Sequence, residues 1–300
     1  MEQNITPTEM EQLRKKALRF LIPGIVLAVA AVISVPILMS PVSILLFIPA
    51  IVCFVCFSKA NKQFAAAFKQ SVVLDSLSSV FTDLTFEPAL GISREEIRET
   101  EMMQTGDRFS SNDLISGRYN GVPFRQSDVH IEEKDTDGEG NTTYTTIFRG
   151  RWMVFDFNKT FVSDLQVVGK RFGANRRKGN GFFGLFASKE KKMEKIELEN
   201  EAFNKQFTVY AHDTTEAFYL LTPHMMEAML RLREGCDSPI MLLFFRGQLH
   251  VAVNNGKDAF EPSLFRAYDP ARETEAVFAD TRVITSFVDE MRLDNDMFKI

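Results

Sequence analysis

The chain has 300 residues, of which 45% are hydrophobic and 25% are charged, and its formal net charge at pH 7 is −5. These averages are ordinary for a globular protein, and the length is sufficient for one large domain or two small ones. The charge is unevenly divided, because residues 1–70 carry seven Lys/Arg against three Asp/Glu, a net +4, which leaves −9 for residues 71–300. Three cysteines, of which only Cys236 lies outside the apolar N-terminal region, exclude a disulfide framework in the remaining sequence.

One long uncharged run sets the N-terminal region apart. From Phe20 to Ser58, 39 consecutive residues carry no charged side chain, and the run is bracketed by Arg19 and Lys59. A single helix needs only about 20 apolar residues to cross roughly 30 Å of hydrocarbon. The run is therefore too long for one crossing and indicates a membrane segment, residues 20–58, that crosses twice.

Two prolines divide this run near its middle. Pro36 and Pro41 disfavour helix at the residues before them and predict a tight turn between two helices. The predicted transmembrane helices span about 20–39 and 42–57. A buried hairpin of soluble helices is the alternative that this pattern leaves open.

Basic residues on both sides of the run predict its orientation. The connecting turn has no charge, whereas Lys and Arg side chains are retained on the cytoplasmic side of a membrane. We therefore expect a multi-pass protein of the inner cell membrane with both termini, including the basic segment 1–19, in the cytoplasm. The flanking basic residues are Arg14, Lys15, Lys16, Arg19, Lys59, Lys62 and Lys69.

The rest of the chain predicts a helical stalk followed by a strand-rich domain. Apolar residues continue at helical spacing beyond Lys59, and Ser93 with Glu96 forms a capping box that opens a short helix, so residues 59–103 are predicted to be helical stalk and helix. Residues 104–300 are predicted to form a cytosolic α+β domain. The predicted fold class is a membrane α-helical hairpin plus this domain, which is mainly an antiparallel β-sheet with segregated helices.

The elements of this domain follow from turn and capping residues. Asn120-Gly121 predicts a two-residue type I′ turn between two strands, and Thr222-Pro223 predicts a helix start. In chain order the predicted elements are strands 114–119 and 122–133, strand 143–149, strand 151–157, strand 161–172 pairing with it, strands 196–199, 207–211 and 217–221, helix 223–234, a hairpin of 240–245 with 248–253, and a final helix 271–293.

A short internal echo suggests that the domain contains two related halves. Phe157–Phe161 and Phe203–Phe207 share the pattern F-N-K-x-F, which we interpret as a strand leading through an Asn-Lys turn. The hypothesis assigns residues 104–172 and 196–300 to two related subdomains. They lie on either side of a basic, Gly- and Phe-rich loop, residues 173–195.

Several strings of aromatic, glycine and turn residues carry a family resemblance. They are G-R-Y-N-G-V-P-F at 117–124, F-R-G-R-W-M-V-F-D-F at 148–157, F-N-K-Q-F-T-V-Y at 203–210 and A-F-Y-L-L-T-P at 217–223. With the N-terminal hairpin, they resemble the bacterial and archaeal membrane proteins grouped as domain of unknown function 3137. The resemblance implies two spans and a cytosolic domain, and it supplies no catalytic residues.

The sequence contains no pattern typical of an enzyme or a metal site. Its four histidines lack partners at metal-ligand spacing, and no nucleophile elbow, phosphate-binding loop or kinase signature is present. Asp135–Asn141 resembles the start of a calcium loop, but position 12 is Thr146 rather than glutamate, so an acidic hairpin loop is favoured. We expect no catalytic residue, no bound metal and no cofactor.

The basic loop is the predicted docking site. Basic side chains attract anionic headgroups, and phenylalanines at a loop tip can enter the membrane interface. The loop is predicted to bind an anionic lipid surface or a partner protein; nucleic acid is disfavoured because the rest of the domain is acidic, and a surface loop with locally packed phenylalanines is the alternative. The candidate docking residues are Arg176, Arg177, Lys178, Phe182, Phe183, Phe186, Lys191 and Lys192.

These observations favour a non-enzymatic, membrane-anchored cytosolic interaction module that binds a partner protein or an anionic lipid surface. An accessory or homo-oligomeric subunit of a membrane transport or channel assembly is the second interpretation. Transport by this chain alone is disfavoured, because residues 20–58 contain no ionisable side chain that would mark an ion or proton route. A lipid-acting enzyme with an unrecognised cleft is the third.

Overall fold

The computed structural model describes residues 5–38, 42–156, 164–172, 193–236 and 238–293. The chain divides into two units by its internal contacts. The first contains Met1–Ser79 and Phe260–Ala279, and the second contains Val80–Ala259 and Asp280–Ile300.

Long helices dominate the first unit. Helix α1 spans Pro7–Leu38 and α2 spans Val42–Phe68, and a π-helical segment, Lys69–Val73, joins α2 to α3, Leu74–Ser78. In the described part of the chain, one helix, Pro7–Ser34, has the length and hydropathy needed to cross a membrane. The first predicted span, as far as Leu38, therefore belongs to a helix that begins at Pro7 and contains the basic residues Arg14 to Arg19.

Helices α1 and α2 are antiparallel neighbours. Lys16 Nζ lies 3.2 Å from Gln63 Oε1, and a Cβ atom added at Gly24 would lie 3.2 Å from Cys53 Cβ. Helical structure continues beyond Lys59 to Ser78, but residues 82–87, within the segment predicted as stalk and short helix, form a β-strand. In the helical part, apolar residues at helical spacing are buried within the first unit, as expected for one side of an amphipathic helix: Phe64, Phe68, Val73 and Leu77.

An antiparallel β-sheet dominates the second unit, as predicted. Its nine described strands are arranged in the order β1-β2-β3-β4-β9-β8-β5-β7-β6. The strands are β1 Thr82–Glu87, β2 Arg108–Tyr119, β3 Val122–Thr136, β4 Thr142–Asp156, β5 Leu165–Gly169, β6 Glu194–Ile196, β7 Phe207–Ala211, β8 Ile240–Phe245 and β9 Gln248–Val253.

The remaining helices are separate from the strands, which confirms an α+β arrangement. They are α4 Arg94–Glu99, α5 Glu201–Gln206, α6 Thr214–Leu220, α7 Pro223–Gly235 and α8 Pro270–Met291. Residues of α8 up to Ala279 belong to the first unit and the others to the second. The predicted caps are confirmed: the Ser93 side chain accepts a hydrogen bond from the Glu96 amide, and Thr222 accepts one from the Met225 amide.

Both predicted two-residue turns are confirmed. Asn120 and Gly121, between β2 and β3, have φ angles of 48° and 80°, as a type I′ turn requires. Arg246 and Gly247, between β8 and β9, have φ angles of 49° and 76°. The acidic loop between β3 and β4 is also a hairpin connection, closed by Asp137, whose Oδ1 accepts from the Asn141 amide at 2.8 Å.

Two strand predictions are wrong. The strand expected at 161–172 is β5, but it pairs with β7 and β8 rather than with residues 151–157. Strand β9 occupies that edge of β4 instead, and β5 is buried along its whole length, so it needs a neighbour on each side. The strand expected at 217–221 is helix α6, because the Asp213 side chain caps a helix start by accepting from the Thr215 and Glu216 amides.

The F-N-K-x-F echo does not mark a turn in the copy that the structure describes. Asn200 caps α5, which contains Phe203 and ends where β7 begins at Phe207. The two rings stack with centroids 4.8 Å apart. The other copy begins at Phe157, outside the described residues.

The ladder register assigns alternate residues of the sheet to two faces. On one face, called the Trp152 face, Trp152 is fully buried in a core that also contains Val129, Phe148, Ile97 and Met102. The opposite face, called the Asp128 face, carries Phe155, whose ring centroid lies 6.2 Å from that of Phe287 in α8. Both faces are therefore covered in the middle of the sheet.

Candidate functional site

The predicted docking residues lie outside the described part of the chain. They all fall within 173–192: Arg176, Arg177, Lys178, Phe182, Phe183, Phe186, Lys191 and Lys192. Of the loop predicted at 173–195, the structure describes residues 193–195, and the edge strand β6 begins at Glu194. The candidate sites described below are therefore ones that the sequence pattern did not indicate.

A groove crosses one end of the sheet over strands β1 to β4. It has a volume of about 280 Å³, and we call it the β1–β4 groove. Its position beside the Asn120-Gly121 turn follows from the register, in which Arg118 faces Pro123 across β2 and β3. It is lined by Asp83, Ser116, Gly117, Arg118, Pro123, Phe124, Arg125, Val154 and Asp156.

Two arginines of this groove are each paired with a carboxylate. Arg125 makes a bidentate pair with Glu96 of α4, at 2.7 and 3.1 Å. Arg118 Nε lies 3.3 Å from Asp83 Oδ2, and Asp83 has a left-handed φ of 51° at an irregularity of the β1–β2 ladder. Planar guanidinium groups fixed in this way present their remaining N–H donors to a carboxylate or phosphate.

The groove carries charges of both signs and an apolar wall. Arg118 and Arg125 are accompanied by Asp83 and Asp156, and Pro123 and Val154 supply the apolar part of the lining. Its lining contains no histidine or cysteine, and its one hydroxyl belongs to Ser116. Arginines and carboxylates side by side can pair with groups of either charge.

A buried ionic cluster lies on the Asp128 face. Asp128 is 1% exposed and faces Arg151 across β3 and β4. The Arg151 guanidinium binds both the carbonyl and the carboxylate of Asp280, and Asp128 Oδ2 accepts from the Ala259 amide at 2.6 Å. Burial raises the pKa of Asp128 to about 7, although the positive charge of Arg151 opposes this shift.

His250 is buried on the Trp152 face. Trp152 Nε1 donates to its Nδ1 at 3.4 Å, and burial lowers the pKa of His250 to about 4. The imidazole is therefore neutral at pH 7 and serves as a hydrogen-bond acceptor in the core. His212 and His224 are exposed, and no group of three or more metal-binding side chains occurs among the described residues.

The comparison with known families agrees with the resemblance seen in the sequence. Residues 146–293 match the family described as protein of unknown function (DUF3137). The match covers 148 of the 300 residues and supports the DUF3137 family for that region. The DUF3137 region contains residues 146–156 of β4, strands β5 to β9, and helices α5 to α8.

One solved structure similar to this chain is the mycobacterial trehalose monomycolate transport factor A, TtfA. The two are 10% identical, with a TM-score of 0.36, and the match covers 73% of this chain and 90% of TtfA. At that level the likeness is too low to transfer a function. No protein of curated function matches the sequence.

The candidate sites relate differently to the DUF3137 region. Arg151 and Asp280 of the buried ionic cluster lie inside it, whereas Arg118 and Arg125 of the β1–β4 groove precede it. Arg118 belongs to the G-R-Y-N-G-V-P-F string, but that string does not identify its partner Asp83, which lies on another strand. Asp128 lies among other polar residues of β3, so no sequence signal marks it.

Proposed function

We propose that the protein is a membrane-anchored cytosolic interaction module, in which the hairpin of residues 20–58 crosses the bilayer twice. The observation that carries the proposal is the apolar surface of α1 and α2. Large apolar side chains on both helices are 37–62% exposed, far more contiguous apolar surface than a soluble helix presents to water. They are Ile22, Ile25, Val26, Val29, Val32, Ile33, Phe47, Ile48, Ile51, Val52, Phe54 and Val55.

The helix register supports two crossings of one bilayer. Lys16 is level with Gln63 and Gly24 is level with Cys53, so Phe20 and Ser58, the two ends of the uncharged run, lie at about the same height. Each arm from that height to the turn has about 20 residues, which corresponds to roughly 30 Å of helix.

Basic side chains at this boundary support the cytoplasmic placement of both termini. Lys15 is largely exposed, and it lies with Lys16 and Arg19 on the same side of the apolar run as Lys59 and Lys62. Such a cluster is retained on the inner side of the membrane and attracts anionic lipids.

Partner binding is assigned in this proposal to the β1–β4 groove and to the docking loop 173–195. The groove contributes two arginines that are paired with carboxylates, which is the chemistry that recognises a charged peptide segment. An accessory role within a transport or channel assembly is compatible with the same anchor, and the oligomeric state in mild detergent distinguishes it from a monomeric adaptor.

Cysteine accessibility tests the topology. In a chain whose Cys53, Cys56 and Cys236 are replaced by alanine, we expect Ser40→Cys to react with a membrane-impermeant maleimide in intact cells. Lys62→Cys is the matched control and should react only after the membrane is disrupted. Release of the protein by alkaline carbonate, with Ser40→Cys unreactive in intact cells, would contradict the proposal.

A photo-crosslinking amino acid in place of Arg118 tests the groove. We expect a discrete protein adduct from this position in cells and none from Lys134, an exposed position on the β3–β4 hairpin. The same adducts from both positions would show that the groove has no particular role in docking.

A further inference from the structure

A segment near the C-terminus returns to the membrane-proximal helices of the first unit. We call residues 260–269 the return segment. Its first contact is with the π-helical segment and the later two are with α1. The contacts are Lys69 Nζ to Glu261 Oε1 at 2.6 Å, Arg14 Nη1 to the Leu264 carbonyl at 2.8 Å, and the Tyr268 amide to Glu11 Oε2 at 2.9 Å.

Two of these contacts involve basic side chains that are buried and paired with specific acceptors. The Arg14 and Lys69 residues are 7% and 8% exposed, although both carry a charge. Glu11 holds the Arg14 guanidinium at 2.7 Å through both carboxylate oxygens, which leaves Nη1 to bind the Leu264 carbonyl. Buried cations satisfied by specific partners hold a chain segment in one position.

The heights of the three contacts show how the return segment runs. At about 1.5 Å per helical residue, Arg14 lies roughly 9 Å from the level of Phe20, and Glu11 lies roughly 14 Å from it. Lys69, eleven residues after Ser58, lies roughly 16 Å from the same level. The segment therefore approaches the end of the apolar run between Glu261 and Leu264 and moves away from it again by Tyr268.

Phe265 and Arg266 form the turning point of this path. Phe265 is 79% exposed, more than any other large apolar side chain among the described residues, and Arg266 is also exposed. A single exposed apolar residue needs no explanation by itself. Its location matters here, because the preceding residue, Leu264, is bound by Arg14, roughly 9 Å from the level of Phe20.

We propose that Phe265 and Arg266 form an interfacial contact with the bilayer that the hairpin crosses. The phenylalanine ring enters the headgroup layer, which is about 5–8 Å thick on each side of the hydrocarbon, and the guanidinium binds lipid phosphate. This inference rests on the proposed function, because it requires the hairpin to span the membrane. Its effect is to anchor the C-terminal part of the chain to the same leaflet as Arg19 and Lys59.

Fluorescence of an indole at position 265 tests the contact. The full-length Phe265→Trp variant is placed in bilayer discs of phosphatidylglycerol and phosphatidylcholine with brominated acyl chains, and the unsubstituted protein supplies the background of the buried Trp152. Phe218→Trp, at an exposed position of α6 in the second unit, is the water-exposed control. Phe47→Trp, on the apolar surface of α2, is the membrane-embedded control.

We expect the indole at 265 to emit at a shorter wavelength than that at 218 and to be quenched by brominated lipid. Both effects should weaken when Arg266→Glu is added or when phosphatidylglycerol is omitted. Emission and iodide quenching equal to those at position 218 overturn it. If brominated lipid quenches the indole at 47 but not the indole at 265, the membrane-spanning hairpin is supported and the Phe265 contact is contradicted. If it quenches neither, the proposed function is contradicted as well.

Discussion

Two buried titratable groups in the sheet have opposite effects on how stability depends on pH. Asp128 and His250 lie on opposite faces and are 1% and 2% exposed. The pKa of Asp128 is raised from 3.8 to about 7, and that of His250 is lowered from 6.5 to about 4, in both cases mainly by burial. The perturbations that separate their effects are Asp128→Asn, which imitates the protonated carboxyl, and His250→Leu.

The sign of each contribution follows from which state binds the proton. Folded Asp128 keeps a proton between pH 4 and 7 that the unfolded chain releases, so its contribution is highest below pH 4 and falls by about 4 kcal/mol as pH rises through 7. Folded His250 is neutral where the unfolded chain is protonated. The contribution of His250 to the unfolding free energy is complete above pH 6.5 and falls by about 3 kcal/mol as pH drops through 4.

Between about pH 4 and 6.5 the unfolding free energy falls with pH because of Asp128 and rises with pH because of His250. The two slopes are equal in size, so their pH dependences cancel in this window. Relative to the unsubstituted protein, the unfolding free energy of Asp128→Asn should therefore rise with pH across this window by about 3 kcal/mol, since one proton is linked over two and a half units. For His250→Leu, the difference should fall by about the same amount. The double variant should return to the pH profile of the unsubstituted protein.

Urea unfolding of the full chain in detergent, repeated across pH, measures these differences. Trp152 is the single tryptophan and is fully buried, so its emission reports the unfolding of the sheet. Midpoints and slopes are compared rather than intensities, because Trp152 contacts His250. Glu87→Gln, at an exposed carboxylate on β1, is the control. Single-variant profiles parallel to that of the unsubstituted protein would refute the reasoning.

Two further pairs of variants test the roles of charge burial and backbone geometry by the same urea measurement. Arg151→Met should lower the unfolding free energy by about 3–5 kcal/mol because it removes a buried guanidinium that binds the Asp280 carbonyl and carboxylate, whereas Arg149→Met, which removes an exposed ion pair, should cost less than about 1 kcal/mol. Gly247→Ala, in an open left-handed turn, should cost about 1–2 kcal/mol. Gly106→Ala should cost more, because its Cβ overlaps the Glu132 carbonyl oxygen. Equal losses within either pair would contradict these assignments.

Features determined by neighbouring residues could be predicted from the sequence. The Asn120-Gly121 turn, the Ser93 cap and the Thr222 cap each depend on side chains and backbone within four residues, and all three are confirmed. The prediction of a strand at 217–221 is wrong, although the feature that decides the structure there is also local. Asp213 caps a helix there, and a short apolar-aromatic run does not by itself distinguish a helix from a strand.

Features determined by distant residues could not be predicted in this way. The Arg14 contact with the Leu264 carbonyl joins residues 250 positions apart, and the β1–β4 groove is formed by four strands. Strand β5 is apolar throughout, which indicates that it has neighbours on both sides without indicating which strands they are. Only the assembled sheet supplies that information.

The pairing of Arg151 with Asp128 in the buried ionic cluster depends on one extra residue in β4. Near its turn the β3–β4 hairpin pairs Glu132 with Thr146, and that register, continued along the strands, would place Arg151 opposite Ser127 on the Trp152 face. The register shifts by one between Ile131 and Glu132, because Ile147 is an extra residue in β4. Beyond this bulge Arg151 faces Asp128 instead. The charge pair therefore exists because of a bulge that neither the turn residues nor the alternation of apolar side chains reveals.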